Sequence, residues 1–173
     1  MYSGIIGAAT LTMAWFVQPV LMYLETPVSW YGIIWTVLNL TVGFAALWSD
    51  RVDRYFGPHK MGILILLFIV GGYATLAFNL TYTGLLILFV FYIFRGFATP
   101  ILKGYINQMT FSEMRATVLS IRNFIIRLMF AVFSPFLGWL NDTYSLQTAL
   151  LISAGIIFVP GCIFLGLQFK KES

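Results

Sequence analysis

The chain has 173 residues, of which 60% are hydrophobic and only 9% are charged. Soluble domains average about half apolar and about a quarter charged residues, so this composition excludes an ordinary soluble protein and predicts a membrane protein. The net charge of +4 does not indicate nucleic-acid binding, because the basic residues are dispersed between hydrophobic segments instead of forming a basic face.

Six apolar segments follow one another along the chain, and each is long enough to cross a lipid bilayer. A transmembrane helix needs about 20 apolar residues to span a hydrocarbon core of about 30 Å. We predict helices over residues 4–24, 30–48, 61–78, 84–103, 117–140 and 146–169. Because these segments occupy most of the chain, the predicted fold is all-α, a single six-helix transmembrane bundle formed by residues 1–173.

Lys and Arg residues fall on one side of this arrangement, and the loops on the opposite side contain neither. The basic residues of that side are Arg51, Arg54, Lys60, Lys103, Arg115, Lys170 and Lys171, with Arg122 just inside the same face. Positively charged loops stay in the cytoplasm, which predicts that both termini and the two longer loops, 49–60 and 104–116, are cytoplasmic. The short loops favour a multi-pass protein of the inner (plasma) membrane of a bacterium.

Polar residues at membrane depth are confined to four of the six predicted helices. The third and sixth helices carry almost only apolar and small residues. The other four contain Gln18, Asn39, Arg95, Thr99, Asn123 and Arg127. A polar side chain inside a bilayer needs a partner or water, so we predict that the first, second, fourth and fifth helices surround a polar space.

Arg95 is the main candidate for binding a solute. Tyr92, Arg95 and Thr99 share one face of the fourth predicted helix, and Gly96 would leave room beside the guanidinium. An arginine at the centre of a span costs about 2.5 to 3.5 kcal/mol on translocon scales, so something should compensate that cost. An anionic or strongly polar solute would do so, and hydrogen bonds to helix carbonyls or a neighbouring side chain are the structural alternative.

Four further polar residues are candidates for the same site. Gln18 precedes Pro19 in the first predicted helix, Asn39 lies in the second, and Asn123 precedes Arg127 by about one turn in the fifth. Polar side chains in membrane helices also form hydrogen bonds between helices. Both interpretations therefore remain open for Gln18, Asn39, Asn123 and Arg127.

The sequence lacks the side chains that catalysis or metal binding inside a membrane would need. All six acidic residues and His59 lie in predicted loops, in the tail or at span ends, so we predict no proton carrier at depth. The single cysteine, Cys162, cannot build a disulfide framework or a cysteine-based metal site. Without a G-x-S-x-G elbow, a histidine pair or an embedded carboxylate, we predict no enzyme, no catalytic residue, no metal and no cofactor.

Three segments carry a resemblance to a known family. The segment Ala46-Leu-Trp-Ser-Asp-Arg-Val-Asp-Arg54, followed by Gly57 and Lys60, resembles the cytoplasmic motif after the second helix of a major facilitator superfamily half, although Asp53 stands where a glycine is usual. Tyr92-Ile-Phe-Arg-Gly96 resembles a cavity-lining signature, and Arg115-Ala-Thr-Val-Leu-Ser120 resembles the entry into the next helix. The whole chain is thus similar to the carboxy-terminal half of such a transporter.

This resemblance implies two inverted three-helix repeats and transport by alternating access, with Asp50, Arg51 and Arg54 acting as a gating latch. Alternating access requires two bundles around a midplane site, so the expected partner is a second six-helix bundle, either a missing amino-terminal half or another copy. The expected cargo is a small polar or anionic solute. A truncated or split reading frame would explain why only one half is present. The alternative functions are a membrane scaffold and an intramembrane enzyme.

Overall fold

The described part of the chain is all-helical. The computed structural model describes residues 1–172, and the side chains of residues 1–167. The helices are α1 (Tyr2–Tyr23), α2 (Val28–Phe78), α3 (Gly84–Met109), α4 (Arg115–Thr143) and α5 (Leu146–Glu172), with a short 3-10 turn at Ser112–Met114. Each of these five helices is long and apolar enough to cross a membrane, which identifies a membrane protein.

Helix α2 contains both the second and the third predicted span. The described residues therefore form five long helices, and the predicted six-helix bundle is not confirmed. The segment 49–60, predicted as a loop, is helical apart from Gly57, whose φ of 76° and ψ of 163° are not helical. Pro58 follows, and a proline disfavours the helical conformation in the residue before it. The chain therefore bends at Gly57, between a first arm (residues 28–56) and a second arm (residues 58–78).

The first arm of α2 runs in the same direction as α3. Gly96 lies against Val42 and Ala45. Further along both segments, the Tyr105 hydroxyl donates a hydrogen bond to Asp53. Residue numbers thus rise together along the first arm and α3.

The second arm of α2 runs in the opposite direction along α3. The ring of Phe68 stacks on that of Phe94 with 3.7 Å between the centroids, and Gly72, one turn later, lies against Phe91. Residue numbers rise along one segment as they fall along the other. The two arms of α2 are therefore antiparallel to each other, folded back at Gly57.

Helix α1 is parallel to both the second arm and α4. The Tyr2 hydroxyl donates to the Gly62 carbonyl over 2.7 Å, and the Tyr73 hydroxyl donates to the Ala9 carbonyl over 2.7 Å. Against α4, Ser3 is bonded to Arg122, and Trp15 lies beside Gly138. Helix α5 is antiparallel to the second arm, because Leu165 meets Gly62 and Gly161 meets Leu66. Consecutive helical segments thus alternate in direction.

The tightest packing surrounds α1, the second arm of α2 and α3. Tyr73 is fully buried and makes edge contacts with Phe16 and Phe91, with ring centroids 6.3 and 5.7 Å apart. The first arm buries only Leu38, Ala45 and Ser49, and α4 buries only Arg122, Leu137 and Leu140. The first arm and α4 are therefore the segments that the rest of the bundle covers least.

Basic residues gather at one end of the bundle. The contacts of Tyr2, Tyr105 and Arg122 bring together the start of α1, the bend of α2, the end of α3 and the start of α4. We call this the basic end, because its elements carry Arg51, Arg54, Lys60, Lys103, Arg115 and Arg122. The side chains of Lys170 and Lys171, assigned to the same side from the sequence, lie outside the described residues.

Candidate functional site

Arg95 lies on α3 beside Tyr92, as its position three residues later requires. Its guanidinium carbon lies over the Tyr92 ring, 5.0 Å from the centroid, so the ring's negative face is available to stabilise the cation. The Nη1 atom of Arg95 and the hydroxyl oxygen of Tyr92 are buried, and neither has a hydrogen-bond partner of ordinary geometry among the described residues. Arg95 thus has a buried donor atom without a partner among the described residues.

Thr99 is exposed one turn further along α3, and its hydroxyl donates to the Arg95 carbonyl over 3.4 Å. The intervening Gly96 does not leave room for the guanidinium as expected. A methyl group at Gly96 would lie 2.6 Å from Cβ of Ala45 and 2.7 Å from the carbonyl oxygen of Val42. The missing side chain instead allows the first arm of α2 to approach α3 closely, as small residues commonly do in membrane bundles.

Gln18 and Asn39 are exposed and line separate cavities. Gln18 faces a cavity of about 630 Å³ that also contacts Asn141 and Asp142, at the end opposite the basic end. Asn39 lies in a shallow cavity of about 450 Å³ on the first arm, where its amide donates to the Trp35 carbonyl over 2.8 Å. The structure does not bring Gln18 and Asn39 into one cavity with each other.

Asn123 and Arg127 are both exposed on α4. Asn123 accepts a hydrogen bond of 3.3 Å from Nη1 of Arg122. Arg127, by contrast, makes no hydrogen bond or ion pair with another side chain in the described part of the chain. Of the seven candidate residues, only Tyr92 is buried and Arg95 is half-buried, so most of the polar groups face away from the bundle.

Asp50, Arg51 and Arg54 are exposed along the first arm of α2, close to its bend. The Arg51 guanidinium lies 4.9 Å from the centre of the Trp48 ring. The link to another helix comes instead from Asp53, which accepts the hydrogen bond of Tyr105. Asp53 thus ties the bend of α2 to the end of α3.

Two contacts between distant helices were not predicted from the sequence. Asp53 and Tyr105 are 52 positions apart, and Arg122 donates from Nε to the Ser3 hydroxyl over 2.5 Å, across 119 positions. Neither pair shares a local motif. The buried position of Arg122 follows from the parallel packing of α1 and α4.

Comparisons with known proteins identify no relative. No protein family model matches the sequence, and no curated protein or solved structure matches it either. What the described residues establish is a membrane protein of long apolar helices with a basic end and with polar groups exposed on its least covered segments.

Proposed function

We propose that the chain is one half of a transporter of the major facilitator type, which moves a small polar or anionic solute when it pairs with a second six-helix bundle. The motifs around Asp50, Arg95 and Arg115 carry the resemblance. Pairing with either a separate half or a second copy would supply the other wall of an alternating-access pathway.

The geometry of α2 supports six membrane crossings. A straight helix of 51 residues would be about 76 Å long, more than twice the hydrocarbon thickness of about 30 Å. The antiparallel arms divide that length into two segments, and with α1, α3, α4 and α5 they alternate in direction. The basic end then faces the cytoplasm by the positive-inside rule, with both termini on that side.

The observation that carries the proposal is the exposure of polar side chains on α3, α4 and the first arm. Asn39, Thr99, Asn123 and Arg127 are exposed in segments of membrane-spanning composition. If the Arg127 guanidinium faced lipid at the centre of a span, its burial in the bilayer would cost about 2.5–3.5 kcal/mol. A second bundle, with water between it and this chain, would remove that cost. A solute pathway likewise requires polar side chains that face water.

Arg95 supports a polar or anionic solute. Its guanidinium lies over the Tyr92 ring on a half-buried side chain, one turn before the exposed Thr99, and a guanidinium can form charge-assisted hydrogen bonds with an anion. The described helices offer no carboxylate near Arg95 that would neutralise it internally, because every acidic residue lies outside the span centres. We therefore assign solute contact to Arg95, Tyr92 and Thr99.

Uptake of labelled solutes by liposomes that contain the purified chain tests the function. The panel should include carboxylates, phosphates, zwitterions and neutral sugars. We expect saturable uptake of an anion by a homodimer to fall at least about tenfold in Arg95→Ala, since a charge-assisted hydrogen bond contributes about 1.5–3 kcal/mol. Arg115→Ala, which removes an exposed charge at the basic end, is the matched control and should retain uptake.

Equal uptake by the chain and by Arg95→Ala would refute the assignment of Arg95. No uptake for any solute, together with water access beside Arg95 in the native membrane, would indicate that the second bundle is a different chain. No uptake and no water access would favour the competing function, a membrane scaffold in which the embedded arginines are structural.

A further inference from the structure

A cavity of about 370 Å³ lies at the basic end, where the bend of α2 meets the ends of three other helices. Tyr2 of α1, Tyr105 and Met109 of α3, and Leu165 of α5 all contribute to its wall. This cavity lies away from Arg95, Thr99 and Arg127, none of which lines it. The cavity is therefore separate from the residues assigned to solute contact.

The lining of this cavity, which we call the bend cavity, is amphipathic. Its apolar wall is formed by Leu102, Leu165 and Met109. Arg54 and Gln108 supply nitrogen atoms that can donate hydrogen bonds. An occupant is thus expected to combine an acceptor-rich polar group with an apolar part.

Three oxygen-bearing side chains of the bend cavity, those of Tyr2, Asp53 and Tyr105, are already engaged. The Tyr2 hydroxyl donates to the Gly62 carbonyl, and the Asp53 carboxylate accepts the hydrogen bond of Tyr105. Arg54 is exposed and forms no ion pair with Asp53 or another described acid. The positive charge at the bend cavity is therefore available to a ligand.

Charge complementarity indicates an anion. Lys60 lies on the same bend as Arg54, and basic residues at a membrane surface attract anionic headgroups. The Arg51 guanidinium, by contrast, lies over the Trp48 ring and does not line the bend cavity. A guanidinium matches the geometry of phosphate oxygens and can donate two parallel hydrogen bonds to them. The apolar wall would accommodate a glycerol backbone or the first methylene groups of an acyl chain.

We propose that the bend cavity binds a phosphate ester anion through Arg54. The anion is either the headgroup of an acidic phospholipid or a soluble phosphate ester that enters from the same side. Because the bend cavity joins α2 to the ends of α1, α3 and α5, its ligand would hold the two arms of α2 in their folded-back arrangement. The proposal does not depend on whether the chain transports a solute.

Native mass spectrometry of the delipidated protein in detergent tests the proposal, with phosphatidylglycerol and phosphatidylcholine as probes. We expect one retained phosphatidylglycerol, and a reduction of its affinity by about tenfold in Arg54→Gln, as loss of a charged hydrogen bond predicts. Arg51→Gln is the matched control, because it removes the same charge three residues away but does not line the bend cavity. It should retain the lipid.

A second pair of variants tests the position of the ligand without changing charge. Met109 and Met114 are both exposed, at 72% and 55%, and only Met109 lines the bend cavity. Met109→Trp should therefore displace phosphatidylglycerol, whereas Met114→Trp should not. If glycerol 3-phosphate competes with the lipid, the bend cavity recognises the phosphate group itself. If only the lipid binds, the membrane is the source of the phosphate ester. Equal retention of the two lipids, or equal losses in Arg54→Gln and Arg51→Gln, would overturn the proposal.

Discussion

Two buried polar side chains in this bundle, Tyr73 and Arg122, are satisfied by helices far away in the sequence. Tyr73 donates to the Ala9 carbonyl and Arg122 to the Ser3 hydroxyl. An unsatisfied buried polar group costs about 1–3 kcal/mol, so these bonds fix which helices become neighbours. The sequence identifies Arg95 as a polar group at depth, but it could not predict the partners of Arg122 or Tyr105, because no local pattern encodes a contact across 50 or more residues.

Gly96 provides a direct test of packing at single-residue scale. A methyl group there would meet Ala45 and the Val42 carbonyl at less than 3 Å, so the backbones of α3 and the first arm would have to separate. We expect Gly96→Ala to lower the free energy of unfolding by about 1–3 kcal/mol, the usual cost of overpacking. Denaturation of the detergent-solubilised protein by SDS measures that change.

The matched control is Gly43→Ala, on the first arm. A methyl group at Gly43 would meet no atom within 4 Å, and alanine is favoured over glycine in a helix by about 1 kcal/mol. Gly43→Ala should therefore be neutral or stabilising. If Gly96→Ala were as harmless as Gly43→Ala, the close contact between α3 and the first arm would be incorrect.

Helix α2 shows how far hydropathy predicts individual elements. The apolar segments coincide with helices, yet residues 49–56 are helical although their polarity predicts a loop. This segment contains neither glycine nor proline, and Asp50 and Arg54 are spaced four residues apart, which favours a helix. Polarity predicted the end of a span in this segment, whereas Gly57 and Pro58 determine where the helix is interrupted.

The folded-back arrangement of α2 predicts a short distance between its two ends. Spin labels at Val28 and Phe78, both highly exposed, should be less than about 35 Å apart, because packed helices lie about 8–10 Å from each other and the arms differ in length by about 12 Å. Pulsed electron paramagnetic resonance on the Cys162→Ala background measures this distance.

A label pair within the first arm is the control for this measurement. Val28 and Tyr55 are separated by one uninterrupted helical segment, so their labels should be about 40 Å apart whether or not α2 bends. A distance of about 75 Å between Val28 and Phe78 would show a continuous helix, which would exclude six crossings.

The whole molecule is asymmetric in two respects: basic residues gather at one end, and some helices are much less buried by the rest of the bundle than others. The bend of α2, the end of α3 and the start of α4 bring basic residues from separate parts of the sequence to one end, as the spacing of spans and loops predicted. The uneven burial of the helices by the rest of the bundle was not predictable from the sequence in the same way. It depends on the first arm and α4 each burying only three residues, which is a property of tertiary packing.

The most direct test of a polar pathway is water access to Thr99 in vesicles of the native membrane. Thr99→Cys, on the Cys162→Ala background, should react with a membrane-impermeant maleimide, because Thr99 is exposed beside Arg95. Val90→Cys should not react, since Val90 lies on the opposite face of α3 in an apolar groove. Labelling of neither cysteine, or of both at the same rate, would contradict a water-filled pathway beside Arg95.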